Sequence, residues 1–146
     1  GQETMRLKVK FFRSNGQLNI SDIVNFVRSR KGIFQPIRSK CIVSEVHLAS
    51  AIERSLRRSE NGSRIRDPGI LILIYLSGSD QIQDAMEQCG IQQDCASFAV
   101  VYEDDSDISD FLHAFQYISE NDLPIPHDHS NDMIFERMSY VDSILD

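Results

Sequence analysis

Cysteine is scarce in this chain of 146 residues, and its three copies, Cys41, Cys89 and Cys95, form no CxxC pair. An odd count without metal-ligand spacing argues against a disulfide framework and predicts reduced thiols. Apolar residues make up 41% of the chain, yet none of their runs approaches the about 18 needed to cross a bilayer. The opening GQETMRLKVKFF lacks the charged, apolar and small-residue regions of a secretory leader. Met5 reads as an initiator, with residues 1–4 foreign to the natural chain. These features together predict a cytoplasmic location, or a nuclear one in a eukaryote. Basic residues are almost missing from one half. Residues 67–146 hold one, Arg137, against 17 acids, a net of −16, whereas residues 1–66 hold 14 against 5, a net of +9.

Such a division is a statement about partners. A basic region attracts polyanions, and an acidic region attracts basic protein surfaces. A metabolic enzyme has no evident use for it, whereas an adaptor touching nucleic acid on one side and protein on the other does. Segregation along the chain is not yet segregation in space.

The length suits one domain, here residues 1–146, with a single core. Leu7, Val9 and Phe11 alternate with Arg6, Lys8 and Lys10, which predicts a first strand with a basic outer face. After the Asn15-Gly16 turn, Asn19 or Ser21 caps a helix with Ile20, Ile23, Val24 and Val27 on one stripe. Beyond Gly32 and Pro36, a short extended run is expected around Lys40, Cys41, Ile42 and Val43. Ser44 then caps a helix with Leu48, Ala51, Ile52 and Leu56 inward, closed by Asn61-Gly62. The run Ile70 to Leu76 (ILILIYL) reads as a central strand covered on both faces. Ile82, Ala85, Met86 and Cys89 predict an apolar helix face between a Ser79 cap and a Gly90 stop. Ser97 to Tyr102 reads as a strand. EDDSD then leads into a helix carrying Ile108, Phe111, Leu112, Phe115 and Ile118. Residues 119–131 read as loop, and Ile134, Met138, Val141 and Leu145 predict a last helix. The expected fold is α/β: a single-domain layered structure, its sheet of about four strands flanked by helices.

Few positions carry chemistry. Ser77, Gly78 and Ser79, read as a strand-to-helix junction, would present free N–H groups to an anion, but Asp80 already supplies charge there. The turn lacks the lysine and glycine spacing of a phosphate loop. Arg54, Arg57 and Arg58, with Arg64 and Arg66 behind, suit a phosphate backbone, though without interleaved aromatics to stack bases. A solvated helix face is the usual fate of such residues, but acidic partners are so few in the first half that the phosphate reading is preferred. His127, Asp128, His129 and Asp132 form a weak metal pattern better read as a surface loop. His47 reads as a packing or capping residue. Each cysteine lies on a core element, no serine sits in a GxSxG elbow, and the pairs Asp104/Asp105 and Asp107/Asp110 lie in solvated stretches. No catalytic constellation, metal or cofactor is indicated.

Two segments carry a resemblance: Val43-Ser44-Glu45-Val46-His47-Leu48-Ala49-Ser50-Ala51, and Tyr75-Leu76-Ser77-Gly78-Ser79-Asp80-Gln81-Ile82-Gln83-Asp84-Ala85. With Gly90-Ile91 and Ser97 to Tyr102 following in order, the chain resembles the PRPK-binding protein (TPRKB) family, the small accessory subunit of the KEOPS complex. The match covers about residues 38–118, and the helix from Ile134 to Leu145 also fits. The resemblance implies a non-enzymatic subunit that binds the PRPK-type atypical kinase of KEOPS. It also implies support of tRNA threonylcarbamoyladenosine modification, with a part in holding the tRNA 3′ end. On that basis Lys40, Arg57, Arg58, Gly78, Gln81 and Ile82 are the expected RNA-binding residues, and the kinase interface should be helical. Asp80 stands where many members carry an uncharged or basic residue, and the net charge of −7 is unusual for an RNA binder, so the kinase contact is the stronger expectation. The rival readings are a small-molecule-binding or regulatory α/β domain with an anion site at turn 77–81, and an enzyme using His127 and His129.

Overall fold

The computed structural model describes residues 7–62 and 64–121. The fold is α/β, with five helices and a four-stranded sheet among the described residues. The strands are β1 (Lys8–Ser14), β2 (Phe34–Arg38), β3 (Ser97–Tyr102) and β4 (Ile118–Glu120), in the order β2-β3-β1-β4. The helices are α1 (Ile20–Arg28), α2 (Glu45–Glu60), α3 (Pro68–Ser77), α4 (Ile82–Cys89) and α5 (Asp105–Ala114), with a 3-10 turn at Ser39–Cys41. Backbone contacts group the described residues into two compact units, residues 7–36 with 91–121 and residues 37–90.

The first unit holds the sheet. Strand β1 pairs antiparallel with β3, Phe12 opposite Phe98 and Lys10 opposite Val100, and antiparallel with β4 on its other side. Directly opposed residues share a face, so Phe12, Phe98, Val100 and Tyr102 line one side, where Ile23 of α1 and Ile108 and Phe111 of α5 join them. Phe26 and Phe111 sit 5.4 Å apart and Phe12 and Phe98 5.5 Å apart, so aromatic rings form the middle of this core. This corrects the expected register. Lys8 and Lys10 lie on the core face of β1, not on an outer one, and reach past its rim to Asp105 at 2.9 Å and Glu120 at 3.3 Å. Long lysine stems allow this, covering apolar surface while the ammonium stays in water.

Asn19 caps α1 and Asp104 caps α5, each side chain accepting a backbone N–H of the first turn. Helix α5 stops at Ala114, and Ile118, expected on its stripe, begins the edge strand β4 instead. Pro36 lies inside β2, which is the opposite edge strand, where a missing N–H costs no ladder bond.

The second unit is helical. Its main correction concerns residues 70–76, which form the body of helix α3 rather than a strand. Asp67 accepts from Gly69 and Ile70 N–H, Pro68 occupies the first helical position, and Gly78 ends the helix in the left-handed region at φ 76°. Leu71 to Leu76 are all buried, which is what an all-apolar helix requires. Helix α2 packs on α3 with Leu48, Ala51 and Ser55 buried, and α4 packs on α3 from another side. The extended run expected at 40–43 is instead the 3-10 turn followed by Ile42 and Val43. Of the loop predicted over 119–131, Ser119 and Glu120 instead belong to strand β4, while residues 122–131 with the histidines and the predicted helix at 134–145 lie outside the described residues.

Candidate nucleic-acid and partner surface

All six expected RNA-binding residues fall in the helical unit, but its hairpin distributes them. Arg57 and Arg58 occupy the last turn of α2. Ser59 Oγ donates to Arg66 O at 2.6 Å, tying the end of α2 to the start of α3. Gly78 lies at the far end of α3, ten helical residues on, a rise of about 15 Å. Gln81 and Ile82 open α4 just after it. Lys40 sits in the 3-10 turn, which packs against α4. The arrangement is therefore an arginine pair at one end of α3 and a Gly78–Ile82 turn at the other.

Arg57 is exposed, its Nε 3.9 Å from Glu53, a loose surface pair that costs little to break. Arg58 and Arg54 are half-buried, so their stems cover part of α2. The turn is closed on itself. Gly78 N–H donates to Ile74 O, Ser79 N–H to Ser77 Oγ, and Gln81 N–H to Ser79 Oγ. An anion site of the kind proposed for residues 77–81 needs these N–H groups open, and here each has a partner. The turn joins the C-terminal end of α3, whose dipole repels anions, to the N-terminal end of α4, whose dipole attracts them. Gln81 caps α4 without a side-chain bond, so the expected Ser79 cap is displaced by two residues.

Residue His47 closes the front of α2. Its N–H donates to Ser44 Oγ at 3.0 Å and its Nδ1 accepts Val43 N–H at 3.1 Å, which puts the ring proton on Nε2. With the ring fully buried, this is a capping role.

Residue types alone did not reveal two features of this unit. The apolar stripe expected on α4 is split: Ala85 and Cys89 are buried, while Ile82 is 43% and Met86 50% exposed. Together with Val43 and Val46, they are the exposed large apolar side chains among the described residues, and all four lie in this unit. The second is covalent. Cys41 and Cys89 are bonded through sulfur, so the expectation of three reduced thiols fails for this pair. Only Cys95 keeps a thiol, whose Sγ donates to Ser97 O. A pair plus one leftover produces the same odd count as three thiols, and a separation of 48 residues carries no motif.

Charge in the sheet unit is interleaved rather than divided. Arg30 lies over the Phe26 ring at 4.1 Å and bonds Asp107 at 3.4 Å and Asp110 at 3.3 Å, so basic residues of the first half meet acids of the second. Burial raises the Asp107 carboxyl above the usual carboxylate range, against the opposing pull of Arg30. Backbone and hydroxyl donation from Ser106 lowers Asp104, and the hydrogen bond to Glu120 raises Lys10. Among the described residues no cluster of His, Cys, Asp and Glu is placed to hold a metal ion, and no helix is long and apolar enough to cross a membrane.

Comparison with curated proteins returned no match. The model of one family, kinase binding protein CGI-121, matches residues 18–138, which takes in both units and every expected RNA-binding position. The resemblance seen at residues 43–51 and 75–85 pointed to this same family, and the chain belongs to it: it is a member of the kinase binding protein CGI-121 family.

Proposed function

We propose that this chain is a non-catalytic accessory subunit of KEOPS that binds its PRPK-type atypical kinase and supports threonylcarbamoyladenosine modification of tRNA. The observation that carries the reading is the family match across residues 18–138, a family described by kinase binding. The surface of α4 supports it. Six of its eight residues are exposed, and Ile82 and Met86, one turn apart on the helix, present two apolar side chains together. An exposed apolar pair on a helix face suits a protein interface.

For tRNA, Arg57 and Arg58 form one contact, with Lys40, Gly78, Gln81 and Ile82 as the second group. The closed hydrogen bonding of turn 77–81 counts against the rival anion site. Reconstituted tRNA modification by the other KEOPS subunits, with and without this chain, tests the reading. Stimulation by the wild-type chain is expected. Equal rates in its presence and absence would remove the accessory role.

A further inference from the structure

Helix α4 is held to its unit by little. Of its eight residues only Ala85 and Cys89 are buried, and its N-terminal cap makes no side-chain bond. A helix this short does not persist unaided. Besides packing on α3, two links fasten its last turn to the segment before α2. Arg38 Nη2 donates to Glu87 O at 3.1 Å, and Cys89 is bonded to Cys41 of the 3-10 turn. The cysteine Cα atoms are 5.3 Å apart, within the usual disulfide range of about 4.4–6.8 Å. Such a bond restricts the open states of the chain it closes, its ends 48 residues apart in sequence.

We propose that Cys41 and Cys89 form a reversible redox staple that sets how firmly α4 is held. Cys41 is partly exposed and Cys89 fully buried, so exchange starts at Cys41. A peroxide oxidises the Cys41 thiol to a sulfenic acid and leaves as one water. The Cys89 thiol then attacks that sulfur, the S–O bond breaks, and the oxygen leaves as a second water. One peroxide and two thiols thus give one disulfide and two waters. In reverse, a small dithiol attacks the Cys41 sulfur and expels Cys89 as a thiol. It then closes its own disulfide and frees Cys41. In the reduced state α4 keeps its packing on α3 and the Arg38 bond but loses its covalent link to the 3-10 turn, so it opens more often and the placement of Gln81, Ile82 and Met86 loosens. The staple depends on neither the tRNA nor the kinase reading.

The test uses the full chain. After peroxide treatment and denaturation, a maleimide mass tag should label one cysteine, Cys95, and after dithiothreitol all three. Hydrogen exchange should show amide protection over residues 82–89 falling about tenfold from the oxidised to the reduced chain. Cys41→Ser, which changes the more exposed partner, should show reduced-type protection in both conditions. The wild-type comparison needs no variant and stands even if Cys41→Ser folds poorly. Three labelled cysteines after peroxide, or equal protection of α4 in both states, would overturn the staple.

Discussion

Gly78→Ala separates a helix stop from any extended reading of the segment before it. At φ 76° Gly78 sits in the left-handed region and donates to Ile74 O, closing the end of α3. A left-handed L-residue costs about 1–2 kcal/mol, while the alanine chain loses about 0.4–1 kcal/mol less backbone entropy on folding. The difference is a net loss of about 1 kcal/mol, or about 4 °C in Tm for a chain of this size. Asparagine tolerates the left-handed region, so Gly78→Asn should lose roughly half as much. Urea denaturation at pH 7 measures both, with the slope checked for constancy. At an extended position the same alanine would stabilise. A Gly78→Ala variant as stable as wild type, or more stable, would therefore refute the end of α3 as described and the geometry of the Gly78–Ile82 turn.

Other expectations follow from single interactions. Ser44→Ala removes the hydroxyl that accepts His47 N–H at a buried helix start, and should cost about 1 kcal/mol in urea unfolding. Asp107 has a folded pKa raised by burial, so the folded state binds its proton more readily than the unfolded one, and stability from this group falls as pH rises. Relative to Asp107→Asn, the wild type should accordingly gain stability as pH drops from 7 toward 4, read as a rise in its Tm minus that of the variant. Arg57→Glu with Arg58→Glu should weaken tRNA binding regardless of anticodon, since bonds to phosphate carry no base information. The slope of log K against log salt should flatten by about 0.7 for each phosphate of a single-stranded end that is no longer neutralised. A filter-binding series over salt reads both, and unchanged binding would remove the arginine footprint.

Much of the fold was legible because local signals agreed. Asn19, Ser44 and Asp104 mark helix starts, Asn61 and Gly90 mark ends, and the apolar run at 97–102 is a strand. Helix α3 was not legible from periodicity, since a helix apolar all round and a doubly covered strand both appear as an unbroken apolar run. Its ends held the answer: Asp67-Pro68 is a cap with proline at the first helical position, and Gly78 is a left-handed stop. The face of β1 was ambiguous because Phe11 and Phe12 are adjacent, and pairing with β3 rather than alternation decides which is core. In the candidate site the residue types were visible, but their spacing depended on α3, which as a helix spans about 15 Å rather than the about 33 Å of a strand of the same length. The exposure of Met86 and the Cys41–Cys89 bond are tertiary facts, set by which line of α4 meets α3 and by what the 3-10 turn brings beside it.

Kinase binding is tested most directly by co-expressing this chain with the PRPK-type kinase of KEOPS and running size-exclusion chromatography with light scattering at micromolar concentration. A single peak with the mass of a one-to-one complex is expected, shifting to separate peaks when Met86→Asp places a charge on the exposed face of α4. Separate elution of the wild-type chain and the kinase would contradict the proposed function.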